Sequence, residues 1–408
     1  MPTTNPSFGF AVNVTGGGDS PSTTDVTNVG QLRSALNGLA SPKKVAKAII
    51  IHGGTYTFTH EAFPIQASNV TIQARPGDLV TLQNVQFNVD VNYASNLLIQ
   101  DLAFQSDRSE AGARDAIVLD IPEGSDAVSD SASRAAAVRI THCSFDGYFD
   151  IAIDSHTRSD RRLLAATIDH CLFFDSDPGK PDTAQDGKNA LLFTNRGAIN
   201  IAGVAVSATQ NLGNARVTIA NNAFVDVWRR SPRIAEGTFG HIFNNLLFRW
   251  GFGNDADTTG DSQNSDTKTN SWVGMAGGGG EEGRSVPNQN GTALIQANRF
   301  IPWKKKALDT KTVDIDPNST VDLRFNHTLR NRFDDNNGNE NTSFFLQRSV
   351  NVDLATFRET LPKPDITAAN AVNWRNLLDD AGPRGTSEAS TPQQKARQRV
   401  IDHVGMRL

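Results

Sequence analysis

Arginines are the side chains of this sequence whose type and spacing point most directly to chemistry. Arg229, Arg230 and Arg233 surround Pro232 in the segment VWRRSPRIAEG. On their own they would be solvated or paired with surface carboxylates, but loops that a rigid scaffold holds in place often carry function. We therefore treat this segment as a candidate site, and the scaffold that positions it becomes the next question.

Four aspartates upstream form an acidic group. Asp115 lies in ARDAIVLD, and Asp146, Asp150 and Asp154 lie in FDGYFDIAID. In an extended strand, alternation would place Asp150 and Asp154 on one side, with Asp146 just before them across Gly147. A single aspartate at a turn is more often structural. Carboxylates that meet from neighbouring segments repel one another unless a cation or an arginine lies between them, and Ca²⁺ fits because it binds oxygen ligands in flexible geometry.

A short repeat runs through the middle of the chain and indicates the scaffold. An aliphatic residue is followed three positions later by Cys or Asn and then usually by Phe; the members begin at Ile140, Ile168, Ile219, Ile242, Ile295 and, more weakly, Leu323. The β-branched and aromatic content favours strands over helices. Unequal spacing fits a solenoid, whose coils contact only their neighbours and tolerate loops on one face. The sequence therefore predicts an all-β, single-domain, right-handed parallel β-helix.

Equivalent side chains of stacked coils lie about 4.8 Å apart, so the repeat also predicts ladders. The fourth position of the pattern would form an amide ladder of Asn222, Asn245, Asn298 and Asn326. The same position places Cys143 beside Cys171, either as stacked buried thiols or as a disulfide. His142 and His170 also match, which favours stacking or turn hydrogen bonds over catalysis.

The ends of the solenoid are expected to be covered. Val29, Leu32, Leu36 and Leu39 recur at helical spacing, which predicts a capping helix over about residues 27–40 that covers the open first coil. We expect the β-helix domain to span residues 1–386, with a C-terminal wrap over about 330–386. Residues 387–408 would form a tail or a surface helix.

Composition excludes several classes of protein. The chain has 408 residues, 38% hydrophobic residues and a net charge of −5 at pH 7. This length supports a continuous core, so the chain is no disulfide-stapled mini-protein. The mild acidity argues against nucleic acid as a partner. Apolar runs are too short for a membrane helix, so no membrane partner is expected. The N-terminus, MPTTNPSFGFAVN, lacks a signal-peptide pattern, which indicates either an intracellular protein or a trimmed mature one.

With these motifs in place, the sequence resembles the pectate lyase superfamily of polysaccharide lyases. The strongest match is RRSPRIAEGTFGHIFNNLLFRW. Further matches, in the order of the family, are GFAVNVTGGG, VTNVGQLRSAL, SNVTIQA, RDAIVLD, ITHCSF, DGYFDI and the terminal AGP. They extend from about Gly9 to Pro383 and so cover most of the chain. The fold of the family is a right-handed parallel β-helix.

The resemblance implies a function and a set of site residues. Family members cleave polygalacturonate, an acidic polysaccharide, by β-elimination, usually with Ca²⁺, and a secreted mature monomer is expected here. Carried over by motif, the residues are Arg230 as the base that removes the C5 proton; Lys188 as a substrate-binding residue; Asp115, Asp146 and Asp150 as Ca²⁺ ligands; and Asp154 as an alternative ligand if the register shifts by four. Arg233 would bind a substrate carboxylate in place of a second family arginine that this sequence lacks, or the substrate would differ. A base role for arginine rests on the resemblance alone, because the guanidinium pKa lies above about 12.

Three departures from the family pattern qualify this assignment. Ala235 stands where many members carry a second arginine, Thr141 replaces an aspartate, and Ala113 and Arg114 precede Asp115 where an acid is often found. These departures predict a Ca²⁺ site with fewer protein ligands, or one that depends on substrate carboxylates to complete it. Two alternatives stay open: a Ca²⁺-independent lyase for methyl-esterified pectin, and a non-catalytic glycan-binding β-helix module.

Overall fold

Parallel strands make up most of the described structure. The computed structural model describes residues 8–11, 13–17, 22–107, 115–121, 136–148, 150–157, 164–176, 197–202, 215–227, 230–235, 238–248, 275–277, 292–301, 313–315, 320–324, 327–328, 374–385 and 391–405. These ranges contain 25 strands and three helices, which are numbered in chain order.

The strands and helices follow one another as short elements with a regular order. The first part of the chain holds β1 Ser22–Val26, α1 Val29–Asn37, β2 Lys43–Ile51, β3 Gly54–Ile65, β4 Ala67–Ala74, β5 Val80–Asp90, β6 Leu97–Gln100, β7 Leu102–Gln105, β8 Ile117–Ile121, β9 Ala136–Thr141, β10 Ser144–Asp146, β11 Ile151–Thr157 and β12 Leu164–Asp169. The second part holds β13 Leu172–Phe174, β14 Gly197–Ala202, β15 Ala215–Ala220, β16 Ala223–Val225, β17 Arg233–Ile234, β18 Thr238–Phe243, β19 Leu246–Phe248, β20 Met275–Gly277, β21 Thr292–Gln296, β22 Arg299–Ile301, β23 Val313–Ile315, β24 Thr320–Arg324, β25 His327–Thr328, α2 Trp374–Asp380 and α3 Pro392–Gly405.

Each coil of the chain contributes one strand to each of three faces. The first face has the order β1-β2-β4-β6-β9-β12-β15-β18-β21-β24. The second face runs β5-β7-β10-β13-β16-β19-β22-β25 and the third runs β5-β8-β11-β14-β17-β20-β23; the long strand β5 belongs to both, and β3 pairs with it. Every pair is parallel, as β9 with β12 and β12 with β15 illustrate. The predicted all-β parallel β-helix is confirmed.

The sequence repeat encodes the corner between the first and second faces. One residue per coil adopts a left-handed conformation there, as His142 (φ 50°), His170 (φ 54°) and Asn244 (φ 51°) do. Asparagine tolerates this conformation better than most side chains, because its short amide bonds locally to the backbone. The chain thus turns from one strand to the next within two residues, and the ladder position follows directly.

The ladders predicted from the repeat are present in the described coils. The Asn222 Nδ2 donates to Asn245 Oδ1 (3.0 Å), and the Asn245 Nδ2 donates to Asn298 Oδ1 (2.9 Å). All three amides are buried; Asn326 lies outside the described residues. Cys143 and Cys171 are free, buried thiols, which confirms the stacked pair over the disulfide. Burial is the main reason why the pKa of the Cys171 thiol is well above its usual value.

Aromatic rings also stack from coil to coil, both in the core and at the surface. Phe104, Phe145, Phe173 and Phe224 lie on successive coils, with centroids 5.2, 4.8 and 5.0 Å apart and nearly parallel rings. The imidazoles of His142 and His170 stack at 4.7 Å, as predicted. These distances match the strand spacing of about 4.8 Å, so the rings repeat with the backbone.

Helices cover two parts of the solenoid. Helix α1 packs on β1 and β3, with Leu32 and Leu36 fully buried, and the predicted N-terminal capping helix is confirmed. Its N-cap is Asn28, whose Oδ1 accepts the Gln31 N–H at 3.0 Å. Helices α2 and α3 pack on β13, β16 and β19 of the second face. A cluster that includes Leu378 and Val400 explains why this face carries outward apolar residues.

The N-terminal strap, residues 8–11 and 13–17, crosses the outer side of the first face. Its N–H groups donate to threonine hydroxyls on separate coils: Ala11 N to Thr167 Oγ1 (3.0 Å) and Gly17 N to Thr71 Oγ1 (3.0 Å). Beneath it lies a buried ion pair in which Arg139 donates twice to Asp169, at 3.0 and 2.9 Å. Among the helices of the described ranges, none is long and apolar enough to cross a membrane.

Candidate active site

The third face brings the arginine segment and three of the aspartates onto neighbouring strands. Strands β8, β11, β14 and β17 are consecutive in this face. Asp115 precedes β8, Asp150 precedes β11, and Arg230 precedes β17. All three therefore lie where the chain enters the same face, on the first, second and fourth of four successive coils. At about 4.8 Å per coil, the backbones of Asp115 and Arg230 are about 14 Å apart.

The strand between the acids and the arginines begins at Gly197. Its N–H donates to the Asp150 carbonyl at 2.8 Å, and the Arg230 carbonyl accepts the Ile199 N–H at 2.9 Å. A Cβ at Gly197 would lie 3.2 Å from the Arg230 Cβ and 3.3 Å from its Cδ. The Arg230 side chain therefore lies back over Gly197, on the side that faces the aspartates. Arg230 itself is partly exposed.

Asp115 and Asp150 keep the features that a ligand of an external group needs. Both are partly exposed. The Asp115 Oδ1 accepts the Ile151 N–H at 2.9 Å, and its own N–H donates to Gln86 Oε1 at 3.2 Å, so the backbone of the next coil fixes this carboxylate. The acid pair thus spans two adjacent coils at the entrance to the third face.

Asp146 lies elsewhere, at the end of β10 on the second face. Gly147, with φ 68°, follows it and helps the chain turn towards the third face, so Asp146 and Asp150 lie on different faces. Asp146 is buried, and its two oxygens accept hydrogen bonds from Ser176 N (2.8 Å) and Gln105 Nε2 (3.4 Å). Both carboxylate oxygens of Asp146 therefore accept hydrogen bonds from the protein.

Tyr148 lies near Asp115 and Asp146. It is buried, and its hydroxyl donates to the Val85 carbonyl at 3.1 Å. Burial first, and then the negative charges of Asp115 and Asp146, raise the pKa of this phenol well above its usual value. Tyr148 therefore stays neutral and serves as a packing and hydrogen-bonding residue beneath the acids.

Asp154 and Arg233 are joined by a residue that sequence reasoning missed. Asn200 is paired in register with Asp154 on one side and with Arg233 on the other. Its Nδ2 donates to Asp154 Oδ1 at 2.7 Å, and its Oδ1 accepts from Arg233 Nη1 at 3.3 Å. Strand alternation in GAINIA could have marked Asn200 as outward-facing, but nothing in the sequence gives the register between coils.

Three positions from the sequence need separate mention. Lys188 and Arg229 lie outside the described residues. Ala235, which stands where a further arginine was looked for, is buried, and its N–H donates to the Ile201 carbonyl at 2.8 Å. This hydrogen bond continues the pairing of β17 with β14 by one residue.

The acid pair is chemically suited to Ca²⁺, but it is a small donor set. Asp115 and Asp150 offer oxygen ligands of the kind that Ca²⁺ prefers. Asp146 and Asp154 use oxygens in protein hydrogen bonds. Among the described side chains, no group of three or more His, Cys, Asp or Glu is arranged to hold a metal ion. A cation at this place would need further oxygens from a bound ligand.

With the geometry established, the fold can be compared with solved structures. Neither a family model nor a curated protein matches the sequence. The three-dimensional structure, however, is similar to those of pectate lyases, and the chain has the pectate lyase-like parallel β-helix fold. This confirms the superfamily resemblance at the level of the fold.

Three of these structures illustrate the likeness. A pectate lyase bound to a hexasaccharide has a TM-score of 0.54 and 14% identity, covering 92% of this chain and 96% of that one. A variant of the Bacillus subtilis pectate lyase has a TM-score of 0.52 and 13% identity, over 93% and 98% of the two chains. The major allergen from cedar pollen has a TM-score of 0.50 and 14% identity, over 92% of each.

Proposed function

We propose that this protein is a polysaccharide lyase that cleaves pectate, or a related polyuronate, by Ca²⁺-assisted β-elimination. The observation that carries the proposal is the placement of Arg230 over Gly197, two coils beyond Asp150 on the same face. Two strand spacings, roughly 10 Å, separate Asp150 from Arg230. A sugar carboxylate bound in this interval would face Asp150 on one side and Arg230 on the other.

The reaction explains why these residue types are needed. The proton at C5 is acidic only through the neighbouring carboxylate, so its removal builds negative charge on that group. Ca²⁺, held by Asp115 and Asp150 together with substrate oxygens, would supply the electrostatic stabilisation of this charge. Arg230, in its neutral guanidine form, is the proposed acceptor of the C5 proton; the electron pair of the C5–H bond forms the C4–C5 double bond, the C4–O4 bond breaks, and the leaving oxygen takes a proton from solvent. Arg233 pairs with a substrate carboxylate through its guanidinium. Lys188 is proposed as a further substrate-binding residue on the strength of its motif alone.

The remaining parts of the proposal concern where and with what the protein acts. Its partner is an extended acidic polysaccharide, which a cell encounters outside its membrane, so we propose a secreted, mature protein. We also propose that the protein acts as a monomer. A net charge of −5 gives no basis for a nucleic-acid partner.

A second candidate function has one observation in its favour. Because Asp146 and Asp154 accept hydrogen bonds from protein side chains or backbone, a Ca²⁺-independent lyase that acts on methyl-esterified pectin fits the remaining pair, Asp115 and Asp150. Esterification removes the substrate carboxylates that would complete a Ca²⁺ site. The two lyases therefore differ in their response to chelation and in their preferred substrate.

The test uses the full chain with polygalacturonate and with methyl-esterified pectin, each with Ca²⁺ or with EDTA. The unsaturated product is followed by ultraviolet absorbance and identified by mass spectrometry. We expect product from polygalacturonate with Ca²⁺ and none with EDTA. Product from esterified pectin in EDTA would select the second candidate. Binding of oligogalacturonate by calorimetry without any product would instead indicate a non-catalytic glycan-binding module.

A further inference from the structure

We propose that Asp154 and Asn200 are positioning residues that hold Arg233 ready for a carboxylate of the substrate. The inference rests on the proposed function, since it concerns how that site recognises an acidic glycan. The three residues form the Arg233 relay, one residue from each of three successive coils, at the same register.

The relay lies on the outward side of the third face. Ile153, Ile199 and Ile234 belong to the hydrophobic core. Because side chains alternate along a strand, each relay residue, which adjoins one of these isoleucines in sequence, points away from the core. On this side Asp154 and Asn200 are buried and Arg233 is partly exposed, so a polymer that lies across the coils would meet the relay at Arg233.

The direction of the hydrogen bonds fixes the orientation of the amide. An ionised carboxylate only accepts and a guanidinium only donates, so the Asn200 Nδ2 faces Asp154 and its Oδ1 faces Arg233. The hydrogen bonds are 2.7 Å from Asn200 Nδ2 to Asp154 Oδ1 and 3.3 Å from Arg233 Nη1 to Asn200 Oδ1. A flipped amide would place its oxygen against the Asp154 carboxylate, where two acceptors meet, and its NH₂ group against the Arg233 guanidinium, where two donors meet.

Burial makes the two supporting residues rigid. Asp154 is 5% exposed and Asn200 is 3% exposed, whereas Arg233 is partly exposed. The Asp154 Oδ1 also accepts the Ser155 N–H at 2.9 Å, which ties the carboxylate to its own strand. A buried, hydrogen-bonded pair thus supports a cation that can still reach a ligand. A guanidinium held in this way loses less rotamer freedom when it binds a carboxylate.

The same bonds argue against Asp154 as a metal ligand. On the side away from Asn200, its register partner is Val118, which has no oxygen in its side chain. The Asp154 Oδ1 already accepts two hydrogen bonds. The role that these contacts favour is support of Arg233, not completion of a Ca²⁺ site.

The experiment is a double-mutant cycle on turnover of polygalacturonate. Asn200→Ala, Arg233→Ala and the double variant are compared with wild type, together with Asp154→Ala and Asp154→Asn. We expect Asn200→Ala and Asp154→Ala to raise KM about ten-fold and to leave kcat within about two-fold of wild type. A ten-fold rise in KM is the effect expected when one charge-assisted hydrogen bond is lost. Asp154→Asn, whose amide oxygen still accepts from Asn200, should restore most of the affinity.

Three readouts separate a positioning role from a merely structural one. The double variant should be no worse than Arg233→Ala alone, because Asn200 acts through Arg233. The Ca²⁺ concentration for half-maximal activity should stay unchanged in Asp154→Ala. Asn28→Ala, which removes the N-cap bond of α1 far from the relay, is the control and should leave KM unchanged.

The outcomes of the cycle are distinct. Additive effects in the cycle, or an unaltered KM in Asn200→Ala, would overturn the relay while the lyase activity of wild type stands. A shift of the Ca²⁺ requirement in Asp154→Ala alone would overturn it in favour of a metal ligand. A wild-type protein that turns over no polyuronate would overturn the proposed function, and the relay with it.

Discussion

The Arg230 side chain lies against Gly197, the first residue of the strand between the acid pair and the arginine segment. An added methyl group at Gly197 would be 3.2 Å from the Arg230 Cβ and 2.6 Å from the Ile151 Cδ1. The glycine therefore leaves the space in which Arg230 can lean towards the aspartates. This relationship links a backbone position to the proposed proton transfer.

Gly197→Ala should therefore impair catalysis more than stability. The new methyl group displaces Arg230, and misplacement of a reacting group by about 1 Å can cost about 100-fold in rate. The matched control is Gly53→Ala, whose Cβ would meet the Asp78 Cβ at 3.3 Å, at the turn between β2 and β3 and away from the proposed site. Steady-state kinetics and thermal melting of both variants check the prediction. Equal losses of kcat in the two variants would contradict it.

The asparagine ladder should carry measurable stability. The Asn245 side chain donates to the Ile219 carbonyl (2.9 Å) and accepts the Asn222 N–H (3.0 Å), and both partners are buried. Asn245→Ala leaves these groups unsatisfied, so the free energy of unfolding should fall by about 3 kcal/mol. Urea unfolding measures it, with Asn28→Ala as an exposed reference at about 1 kcal/mol. A loss at Asn245 no larger than that at Asn28 would refute the ladder's role.

The N-terminal strap predicts a difference between two glycines with the same backbone conformation. Gly9 has φ +91° and a Cβ there would lie 2.4 Å from Thr167 Oγ1, whereas Gly77 has φ +89° and nothing within 4 Å. Alanine at either position strains the backbone, by about 1–3 kcal/mol. Gly9→Ala should cost at least about 1 kcal/mol more, because only there must the strap also move. Chemical denaturation of both variants tests this, and equal losses would count against a tightly seated strap.

The stacked histidines predict how stability changes with pH. Burial first, then the nearby charges of His170 and Arg384, lower the pKa of His142 to about 4. An unfolded histidine titrates near about 6.5, so the unfolded chain binds more protons than the native protein between these values. Stability should therefore fall as pH drops from about 6.5 to 4, by up to about 3 kcal/mol from this group, and should level off below.

His142→Asn isolates this contribution. Asn244 occupies the matching corner with φ 51°, so asparagine suits the backbone at this position. The variant should show a flatter dependence of unfolding free energy on pH over that window, measured by urea unfolding at several pH values. An unchanged slope would mean that His142 is not the group responsible.

Much of the fold was predictable because the repeat specifies a corner of the coil through residues that are close together in sequence. An aliphatic residue, a left-handed corner residue such as His170, and a ladder residue such as Cys171 recur within four positions, and stacking then follows from the strand spacing. The capping helix was predictable for the same reason, since its periodicity and its N-cap are local in sequence.

The candidate site was less predictable because it depends on the register between coils. Asn200 meets Asp154 across 46 positions of chain, through loops whose lengths follow no rule. Asp146 was grouped with Asp150 because it lies just before the strand across Gly147 and because the motif resemblance pairs the two, but the corner at Gly147 places it on a different face. Alternation holds within a strand and stops at a corner. The roles of Arg230 and Lys188 came from motif resemblance, and they stay predictions.

The measurement that tests the central claim most directly is the formation of unsaturated uronide from polygalacturonate by wild type and by Arg230→Ala. Arg75→Ala, an exposed arginine paired with Asp78 on another part of the solenoid, is the matched control. We predict turnover by wild type and by the control, and a loss of at least about 100-fold in kcat for Arg230→Ala with an unchanged melting temperature. Turnover in Arg230→Ala equal to that of wild type would contradict the account.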